Sequence, residues 1–95
     1  MRSYELTVII DPDIAEEDIP QAMEKFTTLI TKSGGSITEV DHWGRRKLAY
    51  PIDHHGEGNY VMMQLEFEPV RTAELKVGLN LAAECLRHLL VRVGN

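Results

Sequence analysis

Ninety-five residues, 43% of them hydrophobic and 26% charged, describe one small globular domain and exclude disordered, collagen-like and coiled-coil chains. A chain of this length buries roughly 60 to 65% of its unfolded surface, so there is room for one mixed core and no second domain within residues 1–95. The formal net charge is −5, and a single cysteine, Cys85, excludes an internal disulfide and any CxxC zinc spacing. No apolar run approaches the ~18 residues of a membrane span, and Met1 to Glu5 lacks the apolar stretch of a secretory signal, so a cytoplasmic, reducing location is expected.

Taken in order, Tyr4, Leu6, Val8 and Ile10 alternate with Ser3, Glu5 and Thr7, which predicts a strand over 2–10 stopped by Asp11-Pro12-Asp13. From Ile19 the period lengthens. Ile19, Ala22, Met23, Phe26, Leu29 and Ile30 recur at steps of three and four, predicting an amphipathic helix over 16–33. Asp13 or Asp18 is placed to cap it, Pro20 fits only its first turn, and Lys32 with Gly34-Gly35 marks its end. A second strand follows over 36–51. Ile37 and Val40 are three apart while Val40, Leu48 and Tyr50 share one parity, so a bulge is expected near Ile37 to Val40 or at Gly44, with Pro51 ending the strand. Asp53 to Gly58 reads as a polar, glycine-bearing turn, and Val61, Met63, Leu65 and Phe67 as the apolar face of a third strand over 58–68. Pro69 closes this hairpin. Leu75, Leu79 and Ala82 then predict a helix over 70–82, in which Gly78 costs about 1 kcal/mol relative to Ala. The last strand, 85–93, is apolar on both parities, so its inward face stays open.

The order β-α-β-β-α-β is that of an α+β, ferredoxin-like split β-α-β domain: a four-stranded antiparallel sheet with two helices on one face. Its core is expected to centre on Leu6, Val8, Phe26, Leu29, Ile30, Val61, Met63, Leu65, Leu75 and Leu79. This topology puts the second strand at a sheet edge.

That strand carries the one concentration of positive charge. Arg45, Arg46 and Lys47 are consecutive, leaving seven basic residues against fifteen acidic ones elsewhere. Trp43 and Tyr50 flank them, and cations beside stacking surfaces suit a phosphate chain with bases attached. Alternation puts Arg46 on the face of Leu48 and Tyr50, with Arg45 and Lys47 on the other. A plain reading stands beside this one: the cations line a solvated strand face, Trp43 covers the core at a bend, and Tyr4 and Tyr60 are ordinary strand aromatics. His54 and His55 lack a third ligand at fixed spacing, so no metal is expected; His42 and His88 are unpartnered, and Cys85 suits a small buried hydrophobe. No catalytic residue and no cofactor are expected.

The opening Met1-Arg2-Ser3-Tyr4-Glu5-Leu6, the segment Trp43-Gly44-Arg45-Arg46-Lys47-Leu48-Ala49-Tyr50-Pro51-Ile52, the pair Tyr60-Val61 and the last strand around Arg87 resemble the bacterial ribosomal protein S6 family over nearly the whole chain. The resemblance implies a non-enzymatic component of the small ribosomal subunit that binds the central domain of small-subunit rRNA jointly with ribosomal protein S18. On that reading Arg2, Tyr4, Arg45, Arg46, Lys47, Tyr60, Arg87 and Arg92 are candidate RNA contacts, and Trp43, Leu48 and Tyr50 candidate contacts to the partner. Neither a membrane nor a small-molecule substrate is implied. Two departures matter: Glu84 stands where the family carries an asparagine, and the chain stops at Asn95, so neither that amide's role nor a charged tail's is carried over.

Charge sharpens the expectation. Asp11, Asp13, Glu16, Glu17 and Asp18 form an anionic flank that repels RNA and attracts a basic protein, so a heterodimer with a basic partner is expected to bind better than this chain alone. Two other classes share the topology. An acylphosphatase-type enzyme needs an anion cradle after the first strand, where this chain has two carboxylates and a proline. A ligand-binding regulatory module that dimerises through its sheets needs no cationic ridge, and a redesigned member of the S6 family is also compatible with the sequence.

Overall fold

The alternating segments become β1 (Arg2–Ile10), β2 (Ser36–Ile52), β3 (His55–Phe67) and β4 (Cys85–Arg92), interleaved with α1 (Ile19–Lys32) and α2 (Thr72–Leu81). Each helix is entered through a short 3-10 turn, Glu16–Asp18 or Pro69–Arg71. The computed structural model describes residues 1–52 and 54–94. Asp53, which the sequence places at the head of the turn, lies outside the described residues.

The sheet is antiparallel in the order β2-β3-β1-β4, which leaves β2 and β4 at the edges. Tyr4, Leu6 and Val8 of β1 pair with Leu65, Met63 and Val61 of β3, so the buried side chains of both strands fall on one face. Phe26, Ile30, Leu75 and Leu79 of the helices close over that face, and all four are fully buried or nearly so. The core also takes in Tyr4, Ile10, Ala22, Met23 and Phe67, while Leu29, expected at its centre, is only partly buried at its margin. Leu29 points instead towards α2, where its side chain lies against Gly78. Register decides the inward face of β4: Leu6 pairs with Leu90, Val8 with His88 and, after a shift, Ile10 with Cys85, so Cys85, His88 and Leu90 turn towards the helices, and Leu89 and Val91 face outward.

Two expectations about the connections change. Asp18 occupies the N-cap position of α1 but makes no side-chain capping bond, and Asp13 is committed elsewhere. The turn between β2 and β3 is also tighter than its composition suggests. The strand β2 runs through Pro51 to Ile52, which the free edge permits because no ladder amide is required there, and β3 already begins at His55.

The pairing of β2 with β3 shifts register three times, between Ile37 and Glu39, between His42 and Gly44, and between Lys47 and Ile52. The sequence predicts a bulge at one of two places, and the first two shifts show one at each, with Gly44 at φ +80. The third has four residues, Leu48 to Pro51, against Gly56 alone on β3. It lies where β1 has already ended, since Ile10 pairs with Asn59 and nothing in β1 pairs with His55 to Gly58. The end of the hairpin therefore overhangs the sheet.

Candidate functional site

The overhang builds the site. With four residues facing one, β2 arches away from its ladder and carries Leu48, Ala49 and Tyr50 over the face of the sheet that the helices leave open. There they meet Thr7 and Ile9 of β1, Tyr60 of β3 and Arg87 and Leu89 of β4, around a cleft of about 250 Å³. The arch crosses the whole sheet. Arg87 Nη1, on one edge strand, donates to the Tyr50 hydroxyl on the other, and the guanidinium carbon lies 5.7 Å from the ring centroid. That bond is the main cause holding the Arg87 pKa above its ordinary value. Ile9 is only 8% exposed although it points to the open face, because this roof covers it.

On the same face, Arg46 pairs with Gly58 and lies 5.5 Å above the Trp43 ring, a cation stacked on an aromatic. The indole Nε1 donates to Asp41 Oδ2 at 3.0 Å, fixing the ring, which stays 43% exposed. Trp43 is thus a surface platform beside Arg46, not a lid on the core. Tyr50 is 57% exposed, so both aromatic flanks of the ridge are accessible.

The three consecutive cations separate as alternation requires. Arg45 and Lys47 pair with Asn59 and Glu57, on the helix-covered side. Arg45 is already engaged: Nη1 donates to Glu57 Oε1 at 2.8 Å and Nη2 to the Pro12 carbonyl at 3.0 Å. Lys47 is exposed and makes no ion pair among the described residues.

Of the remaining candidates Tyr60 joins this group, and Tyr4, Arg2 and Arg92 do not. Tyr4 is 7% exposed within the core and offers no ring face to a base, because its even parity on β1 points at the helices. Arg2 and Arg92 are exposed near the opposite end of β1, where Arg2 pairs with Phe67 and Arg92 with Tyr4, and both are engaged by neighbouring groups. Tyr60 is half-buried in the cleft.

Sequence reading missed a second cluster. On the helix side of the overhang, His55 Nε2 lies 3.0 Å from Asp13 Oδ2 and 3.4 Å from Asp11 Oδ1. The three side chains bring their polar atoms within 4.8 Å of one another and are joined here by the hydrogen bond between His55 and Asp13. The hydrogen bond to Asp13 raises the His55 pKa above 6.5; burial opposes this, and the charges of Asp11 and Asp13 and the Ile52 backbone add to it. No local signal joins residues 42 positions apart. Glu84 is also accounted for: its carboxylate binds Lys25 Nζ, which is the first cause of its lowered pKa, and its carbonyl accepts from the Asp11 amide at 3.0 Å. Among the described residues no helix is long and apolar enough to cross a membrane.

Compared with known proteins, the family described as Ribosomal protein S6 matches residues 3–92. The small ribosomal subunit protein bS6 of Desulforamulus reducens is 40% identical over 94 residues, covering 99% of both chains. That of Saccharopolyspora erythraea is 46% identical over 92 residues, covering 97% of this chain and 78% of the relative. The crystal structure of 30S ribosomal protein S6 from Thermotoga maritima superposes with a TM-score of 0.88 at 29% identity, covering 96% of this chain and 86% of that one.

Proposed function

Because the chain belongs to the ribosomal protein S6 family and is a structural component of the small ribosomal subunit, not an enzyme, we propose that it binds the central domain of small-subunit rRNA jointly with ribosomal protein S18, through the β2–β3 hairpin. As a ribosomal protein it resides in the cytoplasm, within the ribosome.

One observation carries the proposal: Arg46 stacked on an exposed Trp43 lies on the same sheet face as the apolar cleft of Leu48, Tyr50, Tyr60 and Leu89, in a chain whose net charge is −5. Phosphate contacts dominate affinity for nucleic acid, so an acidic chain with two or three available cations is a poor RNA binder by itself. A basic partner seated against the cleft supplies the missing charge and buries Trp43, Leu48 and Tyr50. Arg46 and Lys47 are then the phosphate contacts at the seam, while Arg87 holds Tyr50 in place for the partner and Tyr60 floors the cleft. Arg45, tied to Glu57 and Pro12, serves the hairpin rather than the RNA. Arg2 and Arg92 belong to a separate patch at the far end of β1.

The test is a titration of a central-domain rRNA fragment at near-physiological salt with this protein alone, with S18 alone and with both. Tight binding only when both are present supports the proposal. Micromolar or tighter binding by this chain alone, unimproved by S18, overturns it.

A further inference from the structure

The overhang has no third strand beneath it, and a two-stranded ribbon alone is marginal in water. Contacts outside the ladder must therefore hold it. On the open face Tyr50 reaches Arg87; on the helix side two hairpin side chains reach the Asp11–Asp13 loop, Arg45 through the Pro12 carbonyl and His55 through both carboxylates. Arg45 and Arg87 keep their charge at any physiological pH, whereas an imidazole does not.

We propose that His55 is a proton-sensitive latch: protonated, it clamps the overhanging end of the β2–β3 hairpin to the loop between β1 and α1, and on losing its proton it releases that end. Arg45 is the permanent half of the same attachment. The inference concerns the free protein and stands apart from the reading of RNA binding, although the segment it controls includes Leu48 and Tyr50.

Asp11 and Asp13 face the imidazole from the loop, and Glu57 of β3 is occupied by Arg45 of β2. Beyond Asp13, at the start and on the flank of α1, lie Asp18 and the Lys25–Glu84 pair. Among the described residues no ion pair links either loop carboxylate to a Lys or Arg, so the hydrogen bond to Asp13, and after it the charges of Asp11 and Asp13, hold the proton on His55. His55 is 22% exposed at its side chain, close enough to solvent to exchange that proton quickly.

The sign follows from linkage. A histidine pKa that stands higher in the latched state than in the open one makes the latch complete below pH 6.5, and the latch weakens as pH rises through the latched-state value. His88 acts in the opposite sense: burial, then the Lys76 charge, lowers its pKa, so its contribution is lost as pH falls. Global stability mixes the two, and a site-resolved readout is required.

The experiment uses the intact protein, isotopically labelled, with amide hydrogen exchange corrected for intrinsic rates at pH 6 and pH 8.5. In the wild type the opening equilibrium of amides in 45–47 and 56–58 rises across this range, by up to about tenfold for every unit by which the His55 pKa exceeds 6.5. Amides of Leu6, Val8 and Val61, in the body of the sheet, do not follow. In His55→Gln the rise disappears, and in Asp13→Asn both the rise and the His55 titration midpoint, read from its ring resonances, fall. Neither side chain belongs to the core, and undiminished protection at Leu6, Val8 and Val61 verifies that each variant is folded. Overhang amides that ignore pH in the wild type overturn the latch. So does a pH response that survives in His55→Gln, or one shared equally by Leu6, Val8 and Val61.

Discussion

Gly34 and Gly35 end α1 together, yet alanine at each should fail for a different reason and by a different amount. The helix closes in a Schellman motif: the Gly34 amide donates to the Thr31 carbonyl at 3.1 Å and the Gly35 amide to that of Ile30 at 3.0 Å. Gly34 holds φ +85, the left-handed conformation, so Gly34→Ala costs about 1 to 2 kcal/mol of backbone strain, partly offset by a less disordered unfolded chain. Gly35 has no such dihedral. A Cβ there would lie 2.2 Å from Phe67 Cδ2, 2.7 Å from Cε2 and 3.2 Å from the Glu66 carbonyl oxygen. Carbon contacts settle at about 3.5 to 4.0 Å, so the ring must retreat by more than an ångström. Phe67 is 0% exposed and part of the core, with no free volume to enter. Gly35→Ala should therefore cost about 3 kcal/mol, the upper end of ordinary overpacking and a large share of the 5 to 15 kcal/mol typical of a small domain. Urea denaturation with an unchanged m-value measures both variants. Adding Phe67→Leu removes the obstructing ring edge, and the double-mutant cycle should show at least about 1 kcal/mol of favourable coupling. The reasoning is refuted if Gly35→Ala costs less than Gly34→Ala, or if the cycle is additive.

Ile30 is 0% exposed between the sheet and α2, so Ile30→Ala should lose about 2 to 5 kcal/mol in the same assay; a loss under about half a kcal/mol would contradict its burial. In the proposed complex with S18, Arg46→Gln and Lys47→Gln should each lower the slope of log K for rRNA against log salt by about one, and Arg45→Gln by clearly less, because its guanidinium is already bonded to Glu57 and Pro12. Equal slopes for all three variants and the wild type would make the ridge a solvated face. Burial pushes the Cys85 thiol from 9.0 up to about 11, against a small opposing effect of the Arg87 backbone. At pH 8 its thiolate fraction is then about a hundredfold below that of an ordinary thiol, and iodoacetamide should label the native protein at least that much more slowly than the unfolded chain. The folded state retains this proton longer, so the same group lowers stability as pH rises from 9 towards 11.

The family, the six elements and most of the core were legible in the residues themselves, because periods of two and three to four are local properties of a chain that must bury one face of each element. The segment from Trp43 to Ile52 also announced itself locally, as three cations between two aromatics. What alternation could not supply was the shape of that segment in space. Only the end of β1 at Ile10, opposite Asn59, determines that the hairpin overhangs, and only the four-against-one bulge carries Tyr50 across the sheet to Arg87. Pairing likewise decided that Tyr4 is core, that Arg45 is spent on Glu57 and Pro12, and that Leu90 rather than Leu89 faces the helices. The attachment of His55 to Asp11 and Asp13 left no trace in the sequence, since a single polar contact between distant segments imposes no period on either. Local order was encoded by repetition, whereas the meeting of particular side chains depended on where each strand stopped and on which neighbour it paired with.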